Sequence, residues 1–397
     1  MQQDQPTERI LTKPLALLTL GHLITDFGQG ALPVLLPFLK TAFNLTYTQV
    51  GLIVLVQNLT SSVIQPVFGY LTDRVSLPWL IPASVLLAGI GLAITGFMPS
   101  YTTLLIAVVI GGLGIACFHP QASKSAHLLS NAATKGRSMG LFSVGGNLGL
   151  ALGSIAMSLA LNAPGVLTNT LYFIIPGLIM SLLLYRNLRE LSPQEPALQS
   201  AAASHATTAQ GQPLNYSLLA ILLGFVFIRS SIHTGLTTYI PMYYINYLSG
   251  SPVYASYLLA VFLFAGVVGT YVGASLSDRF GRKTVIMGSI LITLPLISLF
   301  QYTSGFATLL ILALTGLALI SSFATTVVLA QEMMPGYVGM ASGLTIGFSI
   351  GLGGVGATIL GYIADHFGVP SVFTALSVLP IAGLALASFL PGKLFKR

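Results

Sequence analysis

The sequence predicts an all-α membrane protein with twelve transmembrane helices in two pseudo-symmetric six-helix bundles. Three observations support this fold class: only 6% of the 397 residues are charged, 54% are hydrophobic, and long apolar runs recur between helix breakers. A soluble domain carries about 25% charged residues, so a soluble fold would leave its surface almost without charge. A transmembrane barrel is also excluded, because its strands would alternate polar and apolar residues in segments of about 10.

The transmembrane spans are placed from one breaker to the next, since a helix needs roughly 20 apolar residues to cross the bilayer core. We expect spans at about residues 14–38, 47–71, 79–98, 102–124, 137–161, 168–187, 216–240, 253–275, 284–301, 307–330, 338–362 and 371–391. The first run is too long for a cleaved signal peptide and contains His22 and Asp26, so we predict that it is a span.

Basic residues predict how the spans are oriented. One side of the predicted topology carries Arg9, Lys13, Arg74, Lys135, Arg137, Arg186, Arg189, Arg279, Arg282, Lys283, Lys393, Lys396 and Arg397. The opposite side carries Lys40. The positive-inside rule then predicts a multi-pass protein of the bacterial cytoplasmic (inner) membrane with both termini in the cytoplasm. The net charge of +7 follows from this topology and indicates no nucleic-acid partner.

Residues 188–215 are rich in Ala, Ser, Gln and Pro and are predicted to form a flexible cytoplasmic linker. Residues 1–187 would form one six-helix bundle and residues 216–397 the other. The halves show faint repeats: YTTLLIAVVIGGLG at 101 matches FATLLILALTGLAL at 306, and GLFSVGGNLG at 140 matches GLTIGFSIGLGG at 343. Two halves joined by a linker are the plan of transporters with parallel internal repeats.

A charged glycine-containing motif follows an even-numbered span in each half: GYLTDR at 69–74 and GASLSDRFGRK at 273–283. The second copy resembles the cytoplasmic loop signature of the major facilitator superfamily, which implies that fold and a role in conformational switching. We expect its glycines to allow tight turns and its charges to pair with one another or with neighbouring helix ends. The switch residues would be Gly69, Asp73, Arg74, Gly273, Asp278, Arg279, Gly281 and Arg282.

Within that superfamily, the chain is similar to the fosmidomycin-resistance family of efflux proteins. The resemblance rests on GHLITD at 21–26, on QPVFGYLTD at 65–73 followed by Pro78 and Trp79, and on CFHPQASKSA at 117–126. The family tends to carry Glu where this chain has Gln121, and Lys where it has Arg229. The first difference removes a candidate proton carrier and the second keeps the charge.

Asp26 lies near the middle of the first span, where a charge costs about 2.5–3.5 kcal/mol on insertion scales. We therefore expect it to face a watery cavity and to carry protons, with His22, one helical turn earlier, and His119 as relays. A structural aspartate that bonds to a neighbouring helix is the alternative. His119 equally fits a bond to the carbonyl freed by Pro120.

Arg229 in the seventh span falls within one residue of the Asp26 position when the two halves are aligned. Opposite charges are thus expected at equal depth across one cavity. In the binding hypothesis, the guanidinium holds an anionic group such as a phosphonate or carboxylate, with His233, Tyr239 and Gln57 as further substrate contacts. The alternative is a fixed salt bridge that joins the halves.

Glycines recur every four residues in two matching spans: Gly145, Gly149 and Gly153, then Gly343, Gly347 and Gly351. Small residues at that spacing let helices approach closely. We expect these to be the sliding interfaces on which the halves rock. Glu332 and Asp365 lie at predicted helix ends, where ordinary solvation explains them.

The resulting hypothesis is a proton-coupled antiporter that exports a small anionic or amphiphilic compound, such as a phosphonate antibiotic or drug, by alternating access. An importer or facilitative uniporter of a small organic anion or metabolite is the alternative. An enzyme is not expected, because His119 and Cys117 point to different helix faces. Pumping driven by nucleotide hydrolysis is not expected either, because the sequence carries no phosphate-binding loop. A single cysteine excludes a multi-cysteine metal site. Neither a cofactor nor a metal is predicted, and the chain is expected to act as a monomer in the lipid bilayer.

Overall fold

A computed structural model describes residues 12–75, 77–129, 135–163, 166–191, 216–334 and 338–392, and these residues form helices without any strand. The α-helices are α1 Lys13–Ala42, α2 Tyr47–Asn58, α3 Gln65–Arg74, α4 Leu80–Ile94, α5 Tyr101–Leu128, α6 Lys135–Asn162, α7 Ile174–Arg186, α8 Leu188–Leu191, α9 Tyr216–Met242, α10 Pro252–Phe280, α11 Arg282–Phe300, α12 Gly305–Ile320, α13 Ser322–Met333, α14 Val338–Phe367 and α15 Val369–Ser388. Short π-helices follow α2 and α9, at Leu59–Val63 and Tyr243–Tyr247. We call α1 to α8 the first half and α9 to α15 the second half.

Ten helical segments of the described chain are long and apolar enough to cross a membrane. They are Tyr47–Gly69, Leu80–Phe97, Tyr101–Ala126, Ser138–Asn162, Val166–Arg186, Tyr216–Tyr247, Pro252–Phe280, Arg282–Phe300, Gly305–Met333 and Val369–Ser388. The helices α1 and α14, each of 30 residues, cover the two remaining predicted spans. The all-helical membrane architecture is therefore confirmed, and the count of twelve spans stays a prediction.

Local sequence explains where several helices begin and end. Thr12 caps α1 by accepting a bond from the Leu15 amide, and Thr46 and Ser100 form capping boxes at the starts of α2 and α5. Gly281, with φ of 91°, separates α10 from α11. Because this backbone angle lies in the region that favours glycine, the predicted tight turn at Gly281 is confirmed.

The glycine stripe of α6 packs directly on α1. A Cβ atom on Gly145, Gly149 or Gly153 would lie within 2.4 Å of a carbonyl oxygen of α1. Close helix packing at these glycines is confirmed. The expectation that they form the sliding interface between halves is wrong, because both helices belong to the first half.

The corresponding glycines of α14 do not form a second such stripe. Among the described residues, a Cβ on Gly347 would meet no heavy atom within 4 Å, and one on Gly351 would lie 3.3 Å from the Ser62 hydroxyl. The surroundings of Gly343 lie outside the described residues. The predicted packing role is therefore wrong for Gly347, and Gly351 makes a looser contact with the first half.

The closest seam between the halves joins α2 and α14. A Cβ on Gly51 would lie 2.6 Å from the Thr358 Cα atom, and one on Gly354 would lie 2.6 Å from the Leu55 Cα atom. A Cβ on Gly361 would lie 2.4 Å from the carbonyl oxygen of Tyr47. Backbone therefore approaches backbone along this seam, which only glycine permits.

Asp365 joins α14 to the start of α2 at one end of this seam. Its carboxylate accepts bonds from the backbone amides of Tyr47 and Thr48 at 2.6 and 2.8 Å, and from the Thr48 hydroxyl at 2.6 Å. These amides belong to the first turn of α2, where they have no partner within the helix and where the helix dipole favours a negative charge. The expectation of ordinary solvation at Asp365 is thus wrong: it links the two halves.

The second-half loop motif forms an ionic network. Arg282 pairs with Asp278 and, at 3.2 Å, with Glu332 at the end of α13, so solvation alone does not explain Glu332. The Lys283 ammonium donates to the carbonyl of Ser388 at 2.6 Å. The predicted pairing of these charges is confirmed for Asp278, Arg282 and Lys283.

The remaining predicted switch residues lie at the end of α10 and in α3. Gly273 lies inside α10, so the predicted turn at this residue is wrong. The glycine instead allows close packing, since a Cβ there would lie 2.0 Å from the Ser321 carbonyl oxygen. The Arg279 guanidinium lies 5.2 Å from the ring centre of Phe280. A Cβ on Gly69 would lie 3.7 Å from Pro120 Cβ, and the side chains of Asp73 and Arg74 lie outside the described residues.

We expect Asp365→Asn to loosen the start of α2, because the amide side chain lacks the charge and one of the two acceptor oxygens. Hydrogen bonds to charged groups contribute about 1.5–3 kcal/mol, so amide exchange at Tyr47 and Thr48 should accelerate roughly tenfold or more. Hydrogen exchange with mass spectrometry measures this. Asp278→Asn, the same change on another exposed carboxylate, should leave α2 unaffected, and equal exchange in both variants would contradict the assignment.

Candidate functional site

A cavity of about 280 Å³ lies between the two halves at the level of α1 and α9. Its ionisable lining residues are Asp26 and His119 from the first half and Arg229 and His233 from the second. Further polar lining comes from Gln29, Gln57, Asn58, Ser230, Thr234, Thr237, Thr238 and Ser349. The predicted meeting of Asp26 and Arg229 at one cavity is therefore confirmed as geometry.

Asp26 stands at the centre of a buried cluster with two histidines. It is 7% exposed, its Oδ2 lies 3.2 Å from His22 Nε2, and its Oδ1 lies 3.2 Å from His119 Nε2. The His22 and His119 rings meet edge to face, with centroids 5.0 Å apart. Since the geometry at Oδ1 does not suit a hydrogen bond, this oxygen has no hydrogen-bond partner among the described residues.

The hydrogen-bonding pattern of His22 requires an extra positive charge. Its Nδ1 lies 2.8 Å from the carbonyl oxygen of Phe142, and a carbonyl only accepts, so Nδ1 carries a hydrogen. In a neutral ring, Nε2 would then present a lone pair to the carboxylate of Asp26. The contact is favourable only if a proton or another cation lies between the two groups. The cluster is thus built to hold a cation.

Arg229 is the fixed cation on the other side of the cavity. It is 4% exposed, donates from one terminal nitrogen to the Ser349 hydroxyl at 2.8 Å, and lies 5.0 Å from the ring centre of Phe323. Its Nε atom is buried and has no hydrogen-bond partner among the described residues. Within the described part of the chain, its contacts with one neutral hydroxyl and one ring leave most of its five donor hydrogens without a hydrogen-bond acceptor.

Within the described chain, no carboxylate lies within 4.0 Å of Arg229. Asp26, the acid expected to pair with it, makes its ion-pair contacts with His22 and His119 instead. The alternative of a fixed salt bridge that joins the halves is therefore not what the structure contains. A buried cation without a counter-ion favours the entry of an anion.

The other predicted substrate contacts divide into two groups. His233 and Gln57 line the cavity, and the His233 ring packs 5.5 Å from Phe262. Tyr239 does not line it: the side chain is fully buried and its hydroxyl donates to the Ala357 carbonyl at 2.8 Å. The substrate-binding assignment of Tyr239 is therefore wrong on geometry, since the residue joins α9 to α14.

Sequence reasoning missed four residues that shape this site. Ser349 and Phe323 hold the Arg229 guanidinium, and the Phe142 carbonyl fixes the orientation of His22. Gly146 leaves space for the cluster: a Cβ there would lie 2.4 Å from His22 Nε2 and 2.6 Å from Asp26 Oδ2. Its position in the glycine-rich stretch around Gly145 is a signal, but spacing does not reveal that it faces the histidine.

Comparison with known families identifies the fold. A family model described as Major Facilitator Superfamily matches residues 18–345 and 232–393. The chain belongs to the major facilitator superfamily. It is therefore a membrane transporter and not an enzyme, in agreement with the sequence-based expectation.

Relatives and solved structures agree with this assignment. The fosmidomycin resistance protein of Escherichia coli is 35% identical over 379 residues, which cover 95% of this chain and 92% of the relative. An uncharacterized MFS-type transporter of Bacillus subtilis, YfnC, is 33% identical over 380 residues, with 95% and 92% coverage.

Two superfamily structures show the same fold at low sequence identity. The nucleoside transporter NupG superposes with a TM-score of 0.73, at 14% identity over 95% of this chain and 100% of that one. A bacterial homologue of the human lysosomal transporter Spinster, solved in an inward-facing, unoccupied conformation, gives a TM-score of 0.74. That match has 16% identity over 95% of this chain and 94% of the other.

We expect Gly146→Ala to disturb the carboxylate cluster, because the added methyl group would overlap His22 Nε2 and Asp26 Oδ2. Overpacking of a well-filled core costs about 1–3 kcal/mol, so the unfolding temperature in detergent should fall. Gly140→Ala is the matched control on the same helix, since a Cβ there meets nothing within 4 Å. Equal unfolding temperatures for the two variants would show that α6 does not constrain the cluster.

Proposed function

We propose that this transporter exports a small anionic or amphiphilic compound in exchange for protons, by alternating access. The single observation that carries the proposal is the arrangement of unlike charges at one cavity. Asp26 is held with two histidines on the first half, while Arg229 on the second half has no acidic partner among the residues that the structure describes. The relative named fosmidomycin resistance protein supports efflux of a drug-like compound.

The proposed anion subsite is the guanidinium of Arg229. Its planar fork suits two oxygens of a carboxylate or phosphonate, and Ser349 and Phe323 hold it in place without neutralising it. Hydroxyl groups of Ser230, Thr234 and Thr238 line the same cavity and supply further hydrogen bonds. Apolar lining residues from both halves accommodate the body of an amphiphilic substrate.

The proposed proton site is the cluster of His22, Asp26 and His119. Because the contact between His22 and Asp26 needs a shared positive charge, the loaded state in this arrangement holds a proton. The other ionisable groups that line the cavity are Arg229 and His233, and Cys117 and Lys124 belong to the same helix as His119.

Coupling then follows from the conformational equilibrium. A proton on the cluster and an anion at Arg229 attract each other, so their mutual exclusion is not electrostatic and requires that each binds a different access state better. A ligand shifts the conformational equilibrium only when it binds one state better than the other. In the proposed cycle, the proton favours one access state and the substrate favours the opposite state.

The predicted location completes the proposal. We propose that both termini lie in the cytoplasm and that the membrane is the bacterial inner membrane, and the excess of basic residues on the side of the predicted linker supports this orientation. The chain acts as a monomer with a six-helix bundle on each side of the linker. An importer or facilitative uniporter is the competing function, and the direction of gradient-driven flux distinguishes it.

We expect Asp26→Asn to lose substrate accumulation driven by an imposed pH gradient in proteoliposomes, while retaining exchange of substrate at equal pH. The amide cannot carry the proton but keeps the shape of the site. Candidate substrates are phosphonates, organic acids and lipophilic drugs. His366→Gln, a change at an exposed histidine, serves as the control. Full gradient-driven transport by Asp26→Asn would refute the proton role, and flux with the proton gradient would favour the importer.

For Arg229, we expect the same assay to distinguish the contribution of the positive charge from that of the forked guanidinium geometry. Arg229→Ala removes the cation and should raise the KM for anionic substrates at least roughly tenfold, since a hydrogen bond to a charged group contributes about 1.5–3 kcal/mol. Arg229→Lys keeps the charge and should give a smaller rise. Neutral lipophilic substrates should be affected little, and an equal rise for all substrates would argue against an anion subsite.

A further inference from the structure

We propose that His22, Asp26 and His119 bind one divalent transition-metal ion such as Zn²⁺. The metal site follows from the geometry of the cluster and does not depend on proton coupling. Its effect on transport does rest on the proposed function, because a bound metal would occupy the place of the proton. The sequence alone predicts no metal, because His119 is distant from the other two ligands along the chain.

The donor atoms suit zinc. Two imidazole nitrogens and one carboxylate oxygen are ligands that zinc accepts, with bonds of about 2.0–2.2 Å. A tetrahedral ion with such bonds separates its ligand atoms by about 3.3 Å. The two contacts of Asp26 with the histidines are both 3.2 Å, one through Oδ2 to His22 and one through Oδ1 to His119. One ligand atom from each residue lies within 4.8 Å of the other two, so small side-chain rotations would bring the three atoms to metal-binding distances.

The surroundings of His22 resemble those of a metal ligand. Its Nδ1 donates to the Phe142 carbonyl at 2.8 Å, which fixes the tautomer and directs the Nε2 lone pair into the cluster. Metal-binding histidines commonly donate their second ring N–H to a carbonyl or carboxylate in this way. The ring also stacks on Phe142, with centroids 4.3 Å apart. His22 is thus oriented before any ion arrives.

Space for an ion is also present. Gly146 offers no side chain where a Cβ would lie 2.4 Å from His22 Nε2. Asp26 Oδ1 is buried without a hydrogen-bond partner in the described chain, so a ligand oxygen is available. Asp26 and His119 line the cavity, so a fourth coordination position for water or an anion faces it.

The test is calorimetric titration of Zn²⁺ into the purified full-length transporter, prepared without a histidine tag. We expect one ion per chain, with weaker binding at lower pH because protons compete for the same atoms. His22→Gln, His119→Gln and Asp26→Asn should each weaken binding about tenfold or more. His366→Gln should bind as the wild type does, and Mg²⁺ should not compete, because it prefers oxygen ligands.

A second measurement needs no variant. Electron paramagnetic resonance of Cu²⁺ bound to the wild-type protein counts the coordinating nitrogens, and we expect two. Zinc affinity that is unchanged in all three ligand variants, or lost in His366→Gln, would overturn the proposal. So would a Cu²⁺ spectrum without nitrogen coupling.

The metal site and the proton role can fail separately. Added Zn²⁺ should inhibit gradient-driven transport by the wild type. If Asp26→Asn abolishes zinc binding but keeps gradient-driven transport, the metal site stands and the proton role falls. If zinc does not bind while Asp26→Asn loses coupling, the reverse conclusion holds.

Discussion

The free-energy cost of placing charge inside a membrane is the constraint on which this structure depends. Asp26 and Arg229 are both less than 10% exposed, and each must be compensated by the protein or by what enters the cavity. The two are compensated differently. Asp26 contacts two imidazoles, groups that can accept or release a proton, whereas the contacts of Arg229 with described side chains are one hydroxyl and one aromatic ring. One charge is thus adjustable and the other is permanently available.

Helix packing in the first half keeps the adjustable charge in position. The glycines of α6 bring its backbone against α1, so His22 reaches the carbonyl of Phe142 and the carboxylate of Asp26 at once. The glycine stripe therefore serves the rigidity of one half and not the movement between halves. The closest backbone approach between halves lies at Gly51 on α2 and Gly354 on α14, and α6 also packs against α10 of the second half.

Composition and apolar run length are enough to predict the all-helical membrane fold and the helix positions, because the bilayer imposes one length on every span. Alignment of the two halves is enough to predict that Asp26 and Arg229 meet at one cavity, since it places the two residues at equal depth. Contacts between helices distant in the sequence are not predictable in this way. The sequence predicts that Tyr239 contacts the substrate, but the residue lies on the side of α9 that faces Ala357. Asp365, expected to meet only water, meets the start of α2 across the seam.

The carboxylate of Asp365 gives the seam a property that a hydrophobic contact would lack. It is exposed, and so are the amides and the hydroxyl that it binds. When α2 and α14 separate at that end, water can replace each lost bond on both sides, so the separated state holds no stranded polar group. The fastening is therefore directional in geometry, and water returns part of its free energy when it opens, which suits a joint that releases and re-forms in the proposed transport cycle.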